Sequence, residues 1–261
     1  MRRQASDRGF TRFAPSGKTY KVDRNNRPIL TTRLAYIRAD SVCVSTVCER
    51  LQELLDEEYC ADLIESIRDI GHQVPVAVLH SPKKGSKYEL ISGSRRLWVI
   101  KYLTARGESN GWIKAEILPG FIPLPEKDFD GYFYWVQISR ACNIFRRSSA
   151  YEVAKRTEYA FQASGLSQVE FAKELNISKS TLSARLQFSR LPTDAAKALG
   201  LHLSSLKPPM ASKWLRIYHD RSKDLVTDIA RATETAEEKG LSDLALIRHV
   251  NSALKLRLDQ E

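Results

Sequence analysis

The sequence predicts an α/β domain followed by an all-α domain, and three observations carry that prediction. Between residues 74 and 118 short β-rich runs alternate with a helical stretch. From Ser149 onward apolar residues recur at helical spacing, broken at Gly165, Asn176, Pro192, Gly200, Pro208-Pro209 and Gly240, with no convincing strand. Between the two, PGFIPLPEKDFDG (119–131) carries three prolines and separates them. The expected division is therefore an arm over 1–40, an α/β domain over 41–131 and a helical domain over 132–261.

The arm is polar and arginine-rich, with Pro15, Gly17, Asn25, Asn26 and Pro28 as breakers, and is expected to be largely disordered. Residues 1–38 hold ten Lys and Arg against Asp7 and Asp23, which is most of the formal net charge of +10. Such an arm attracts a phosphate backbone without sequence preference; a solvated tail has the same composition. Leu51, Leu54, Leu55, Leu63, Ile64 and Ile67 then recur at helical spacing, and Gly71 is placed to close that helix. VPVAVLH (74–80) and Tyr88–Ile91 read as strands around a turn at SPKKGSK (81–87). A helix leaves Gly93 through Leu97–Leu103, and WIKAEIL (112–118) reads as a third strand. The last helix, about 241–258, shows an apolar stripe at Leu244, Ile247, Val250 and Leu254, read as core.

Composition excludes several classes. No apolar run approaches the ~20 residues that cross a bilayer, and MRRQASDRGFTRF lacks the apolar stretch of a secretory signal. A cytoplasmic protein is expected. Cys43, Cys48, Cys60 and Cys142 include no close pair of the zinc type, so four reduced thiols are expected.

Residues 166–191, LSQVEFAKELNISKSTLSARLQFSRL, carry the strongest local pattern. Ser167 with Glu170 forms a capping box, and Val169, Phe171, Ala172 and Leu175 supply apolar positions. Asn176 tolerates the left-handed backbone of a tight turn, Ile177 is the buried turn residue, and Ser178 caps a second helix anchored by Leu182, Leu186 and Phe188. This is a helix-turn-helix over 167–190, whose second helix would enter the major groove of duplex DNA. Gln168, Lys173, Ser178, Lys179, Ser180, Thr181, Ser183 and Arg185 are the candidate DNA-contacting residues, short hydroxyls suiting base edges and cations suiting phosphates. An ordinary helical hairpin with a polar outer face would carry the same residues. The segment's own charge is +2, so further cationic surface, with the arm as the obvious supply, is expected to add non-specific affinity.

In YELISGSRRLW (88–98) a strand delivers Gly93 and Ser94 to a turn, with Arg95 and Arg96 where a helix begins. Glycine permits close backbone approach, a helix N-terminus offers amides, and two guanidiniums offer bidentate forks, a combination that suits polyphosphate. It is not a Walker A loop, and taken alone two arginines beside a glycine are more often a surface turn. Its order with GHQVPVAV (71–78), CNIFR (142–146), SSAYEVAKR (148–156) and the helix-turn-helix resembles the ParB family of plasmid and chromosome partition proteins, especially its SopB-like branch, over roughly residues 60–220.

The resemblance implies a ParB/sulfiredoxin-like N-terminal domain and a helix-turn-helix that binds a centromere-like site on double-stranded DNA. It also implies CTP and Mg²⁺ as ligands of a clamp that closes on DNA, a ParA-type ATPase as partner, a homodimer, and a place on the nucleoid or plasmid. By position, Gly93, Ser94, Arg95 and Arg96 would cradle the triphosphate, and Gln73, Pro75 and Val76 would line the base side. Asn143 would help hold the metal and Arg146 would reach phosphate. No catalytic residue is assigned. Cys142 stands where many members have a metal-binding Glu, and a neutral thiol is a poor ligand for a hard cation, so at most weak CTPase activity is expected. Trp98 stands where the box is commonly basic. The helical region runs to Glu261 without the further dimerisation domain that members usually carry, so either a dimer forms through another surface or the sequence is a shortened form. A ParB-like transcription regulator would use the same DNA-reading parts. A nuclease or kinase on the same N-terminal fold would need an acid or nucleophile in the pocket, where only Glu89, Ser92 and Ser94 are found, with no His nearby.

Overall fold

The computed structural model describes residues 10–13, 19–22, 32–48, 50–81, 85–125, 127–142, 148–219 and 221–258. The chain divides into two compact units, Met1–Cys48 with Ser66–Cys142, and Glu49–Glu65 with Asn143–Glu261. Among the described residues no helix is long and apolar enough to cross a membrane, and all four cysteines are free thiols.

In the first unit β1 (Phe10–Phe13) and β2 (Thr19–Val22) form a two-stranded antiparallel pair. A five-stranded sheet follows, built from β3 (Arg33–Arg38), β4 (Val42–Val44), β5 (Val76–His80), β6 (Tyr88–Ser92) and β7 (Trp112–Ile117) in the order β3-β7-β5-β6-β4. β3–β7 and β5–β6 are antiparallel, whereas β5–β7 and β4–β6 are parallel. β5 and β6 lie in the middle of the sheet and are buried along nearly their whole length, which is why they read as continuous apolar runs. One face packs Val76, Val78, Leu90, Ile113 and Ala115 against Ile67 of α1 (Glu57–Ile70) and Leu97 and Ile100 of α2 (Ser94–Ala105). The other packs Ala77, Leu79 and Ile91 against Tyr132 and Trp135 of α3 (Phe129–Cys142).

Two segments fall on the other side of the expected boundaries. Arg33–Arg38, counted with the arm, is the edge strand β3, because its full length pairs with β7. α3, counted with the helical half, belongs to the sheet, where Ser139 Oγ also donates to the Ile91 carbonyl at 2.8 Å.

The second unit takes residues 49–65 and α4 (Ala150–Ser164), α5 (Gln168–Glu174), α6 (Lys179–Phe188), α7 (Thr193–Ala198), α8 (Pro208–Tyr218), α9 (Ser222–Glu238) and α10 (Asp243–Leu258). Leu54, Tyr151, Phe188, Leu191, Trp214, Leu225 and Ile229 share its core. α10 contributes Leu246, Ile247, Val250 and Leu254, while Leu244, the first residue of the expected stripe, stays 45% exposed. The helix begins at Asp243, and Leu246 rather than Leu244 is its first inward position.

Candidate functional site

The turn between β6 and α2 is built by contact beneath it. Gly93 has φ +104°, and a Cβ there would lie 2.7 Å from Val76 Cγ1. Only glycine lets α2 start this close to β5. The first amides of α2 receive no side-chain cap, whereas those of α4, α5 and α6 are capped by Ser149, Ser167 and Ser178. α7, α8 and α9 also lack a side-chain cap, and at each such end the free amides can bind an anion.

Arg96 Nη1 donates to the carbonyls of Val74 (2.9 Å) and Pro75 (2.5 Å), stapling the start of α2 to the chain that leads into β5. Its guanidinium, placed by the resemblance against triphosphate, thus spends this nitrogen on backbone, and burial lowers its pKa. Val76, expected to line a base, is fully buried and supports the turn from below. Gln73 is exposed and its Nε2 donates to the Ile70 carbonyl; Pro75 is half-buried. Ser94 is buried and Arg95 half-buried at the first turn of α2. Structure thus gathers Pro75, Val76, Gly93, Ser94, Arg95 and Arg96 around one turn. Asn143 and Arg146 lie outside the described residues.

Two neighbours, His72 and Glu116, escaped the sequence reading. His72 Nδ1 accepts the backbone N–H of Lys114 at 3.1 Å, which leaves the ring proton on Nε2, a buried atom without a partner. Burial first, then Arg96 and Lys114, push its pKa down to about 4. Cys142 is exposed at the end of α3, and partial desolvation by its surroundings and then Glu116 raise its thiol pKa, so it is a neutral thiol at neutral pH. No local signal marks His72 or Glu116, because each acts on a residue far along the chain.

The His72 shift predicts a pH dependence. His72 is neutral when folded, so as pH falls from 6.5 toward 4 the unfolded chain gains a proton that the folded chain refuses. Stability from this residue is complete above pH 6.5 and is lost toward pH 4, by about 2 kcal/mol after allowance for the partial exposure of the ring. Urea titrations across that range should show the loss, and His72→Asn, whose Oδ1 can take the Lys114 N–H, should flatten it. An unchanged slope in the variant would assign the pH dependence elsewhere.

In the second unit, Ser167 and Glu170 form a reciprocal capping box ahead of α5. Asn176 takes φ +51°, and the N–H groups of Asn176 and Ile177 bond back to Lys173 and Ala172. Ser178 Oγ accepts the Thr181 N–H at 3.1 Å and lies 2.8 Å from both Ser180 Oγ and Thr181 Oγ1. Phe171, Leu182 and Phe188 are fully buried. Gln168, Lys173, Ser178, Lys179, Ser180 and Thr181 are exposed, Ser183 and Arg185 half-buried. Val169, expected among the apolar anchors, is 60% exposed, and Ile177 is only half-buried. Val169 belongs instead to an open surface hollow with Lys173, Asn176, Ser178 and Lys179.

Residues 26–107 match the family model of the ParB N-terminal domain. Among solved structures, the chain is similar to the C-terminally truncated chromosome-partitioning protein ParB from Caulobacter crescentus complexed with CTP-gamma-S, at 18% identity and a TM-score of 0.32, over 76% of this chain and 98% of that one. The same Caulobacter protein complexed to the centromeric parS site gives 17% identity and 0.36, over 85% and 99%. A Pnob8-like ParB-N domain gives 14% and 0.42, over 78% and 85%. No curated protein sequence matches the chain.

Proposed function

We propose that this chain, which carries a ParB N-terminal domain over residues 26–107, is a ParB-like partition protein that binds duplex DNA and answers to CTP. The carrying observation is the turn at Gly93, where close packing on Val76 presents an uncapped helix N-terminus with Arg95 beside it. A triphosphate fits that chemistry: backbone amides of α2 take its oxygens, and Ser94 and Arg95 flank them. Arg96 serves by holding the turn to the Val74–Pro75 backbone. Gln73 and Pro75, on the chain that Arg96 secures, are the side chains offered to the base.

The metal is a different matter. Among the described residues no group of three or more His, Cys, Asp or Glu side chains is placed to hold a metal ion, and Cys142 is a neutral thiol. The described residues do not fit a dedicated Mg²⁺ site, so hydrolysis forms no part of the proposal. Any Mg²⁺ would arrive on the phosphate oxygens of the nucleotide.

DNA is assigned to the second unit, with α6 in the major groove and the exposed Lys179, Ser180 and Thr181 at its leading end. A homodimer and a ParA-type ATPase are the partners this role calls for, on the nucleoid or a plasmid. The test is Arg95→Ala, measured by calorimetry with CTP, ATP and GTP and by anisotropy with DNA. The wild type should prefer CTP; the variant should lose nucleotide binding while keeping DNA affinity nearly intact. Equal loss of both would make the turn a structural feature, and no preference among nucleotides would sink the CTP reading.

A further inference from the structure

Val169 lies on the outer side of α5, largely exposed, while Phe171 and Ala172 beside it turn inward. Val169, Ala172, Lys173 and Asn176 stand at i, i+3, i+4 and i+7, so they share one face of α5 and of the turn behind it. Ile177, Ser178 and Lys179 complete that face, and together these residues line one open hollow. Its apolar lining is Val169, Ala172 and Ile177, the last only half-buried. Its rim is cationic, with Lys173 on α5 and Lys179 at the start of α6, both exposed. Among the described residues no carboxylate forms an ion pair with either lysine.

An isolated valine in water needs no explanation. This one is continuous with a half-buried isoleucine, stands between two cations, and opens beside the end of α6 assigned to the groove. Ser178 accepts the Thr181 N–H and lies 2.8 Å from the Ser180 and Thr181 hydroxyls, which holds that edge of the hollow in one arrangement. The lysines select an anionic partner, and the apolar floor selects one that also offers a hydrocarbon group. Duplex DNA meets both demands. Phosphates flank its major groove, and the apolar group displayed inside that groove is the 5-methyl of thymine.

We propose that this hollow reads thymine. Val169, with Ala172 and Ile177 as its floor, receives the 5-methyl group of a thymine next to the bases met by Ser180 and Thr181, while Lys173 and Lys179 hold the flanking phosphates. The proposal rests on the DNA-binding reading above. It adds to that reading a specificity residue on α5, outside the recognition helix, which favours a base with a 5-methyl group over one without.

The test measures anisotropy of wild type, Val169→Thr, Val169→Ile and Lys173→Gln at low salt on two labelled duplexes. One alternates adenine and thymine; the other carries uracil in place of every thymine. The wild type should bind the thymine duplex about three- to fivefold more tightly, the factor that burying one methylene-sized group corresponds to. Val169→Thr keeps the shape of the side chain but makes it polar, so it should bring the two affinities together by weakening the thymine complex alone. Val169→Ile should keep the preference. Lys173→Gln should weaken both complexes by the same factor, because the phosphates are common to both. A wild type that binds both duplexes equally, or a preference that survives Val169→Thr, overturns the thymine contact. Equal weakening of both complexes by Val169→Thr also overturns it, by making Val169 a backbone contact. A wild type that binds neither duplex overturns the DNA reading itself, and this contact with it.

Discussion

Gly93→Ala is expected to destabilise the sheet-bearing unit by about 2–5 kcal/mol and to abolish the nucleotide binding proposed for this turn. Two costs add. A φ of +104° lies where an L side chain is strained, and the new methyl would sit 2.7 Å from Val76 Cγ1 and 3.1 Å from its Cβ. Val76 cannot retreat: it is fully buried in the middle of the sheet, registered on Ala115 of β7. The start of α2 must therefore lift, and the Arg96 bonds to Val74 and Pro75 lift with it. Urea unfolding of four proteins checks this: wild type, Gly93→Ala, Val76→Ala and the double variant. If the close approach matters, Gly93→Ala should cost about 1–2 kcal/mol less in the Val76→Ala background, because part of the clash is gone. Nucleotide binding should stay lost in the double variant, since the backbone strain remains. Equal costs in both backgrounds would leave backbone conformation as the whole cause.

The parts legible in the sequence are those whose partners lie within a few residues. The Ser167–Glu170 box, the left-handed Asn176 and the Ser178 cap each involve atoms no more than four residues apart, and each stands where the pattern places it. The turn at Gly93 was legible as strand, glycine and helix, but not its cause, because Val76 meets it from seventeen residues away. Long-range pairings account for the rest. Arg33–Arg38 looks like part of a basic arm until β7 pairs with it. The bonds of Arg96 Nη1 to the Val74 and Pro75 carbonyls join residues more than twenty apart, and no local pattern announces them. Val169 and Leu244 show the other failure: apolar periodicity marks a face, but only packing decides which residue at its margin is covered.

The same contrast between local motif and distant partner predicts the behaviour of two capping boxes. Glu170 closes its box on an exposed helix end, and Glu170→Ala should leave the melting temperature almost unchanged. Glu152 closes the equivalent box on α4 but is 1% exposed, and its carboxylate does far more. Oε2 accepts from Ser149 N (2.8 Å), Ser149 Oγ (3.0 Å) and Arg50 Nη1 (3.0 Å), and Oε1 accepts from Leu51 N (3.1 Å). Arg50 is itself 7% exposed, and the same Nη1 donates to Tyr59 Oη at 2.7 Å. One carboxylate thus ties residues 50–51 to the first turn of α4, deep in the second unit. Removing it takes from a buried guanidinium the carboxylate it pairs with and from three further donors their acceptor, so Glu152→Ala is expected to cost about 3–5 kcal/mol in urea unfolding. Glu152→Gln should cost nearly as much, because its NH₂ must face donors on either side. Arg50→Met combined with Glu152→Gln should recover a large part of the loss, since both members of the buried ion pair are then neutral while the shape is kept. Glu152→Gln within about 1 kcal/mol of wild type would mean that the charge is dispensable and that shape alone holds the junction.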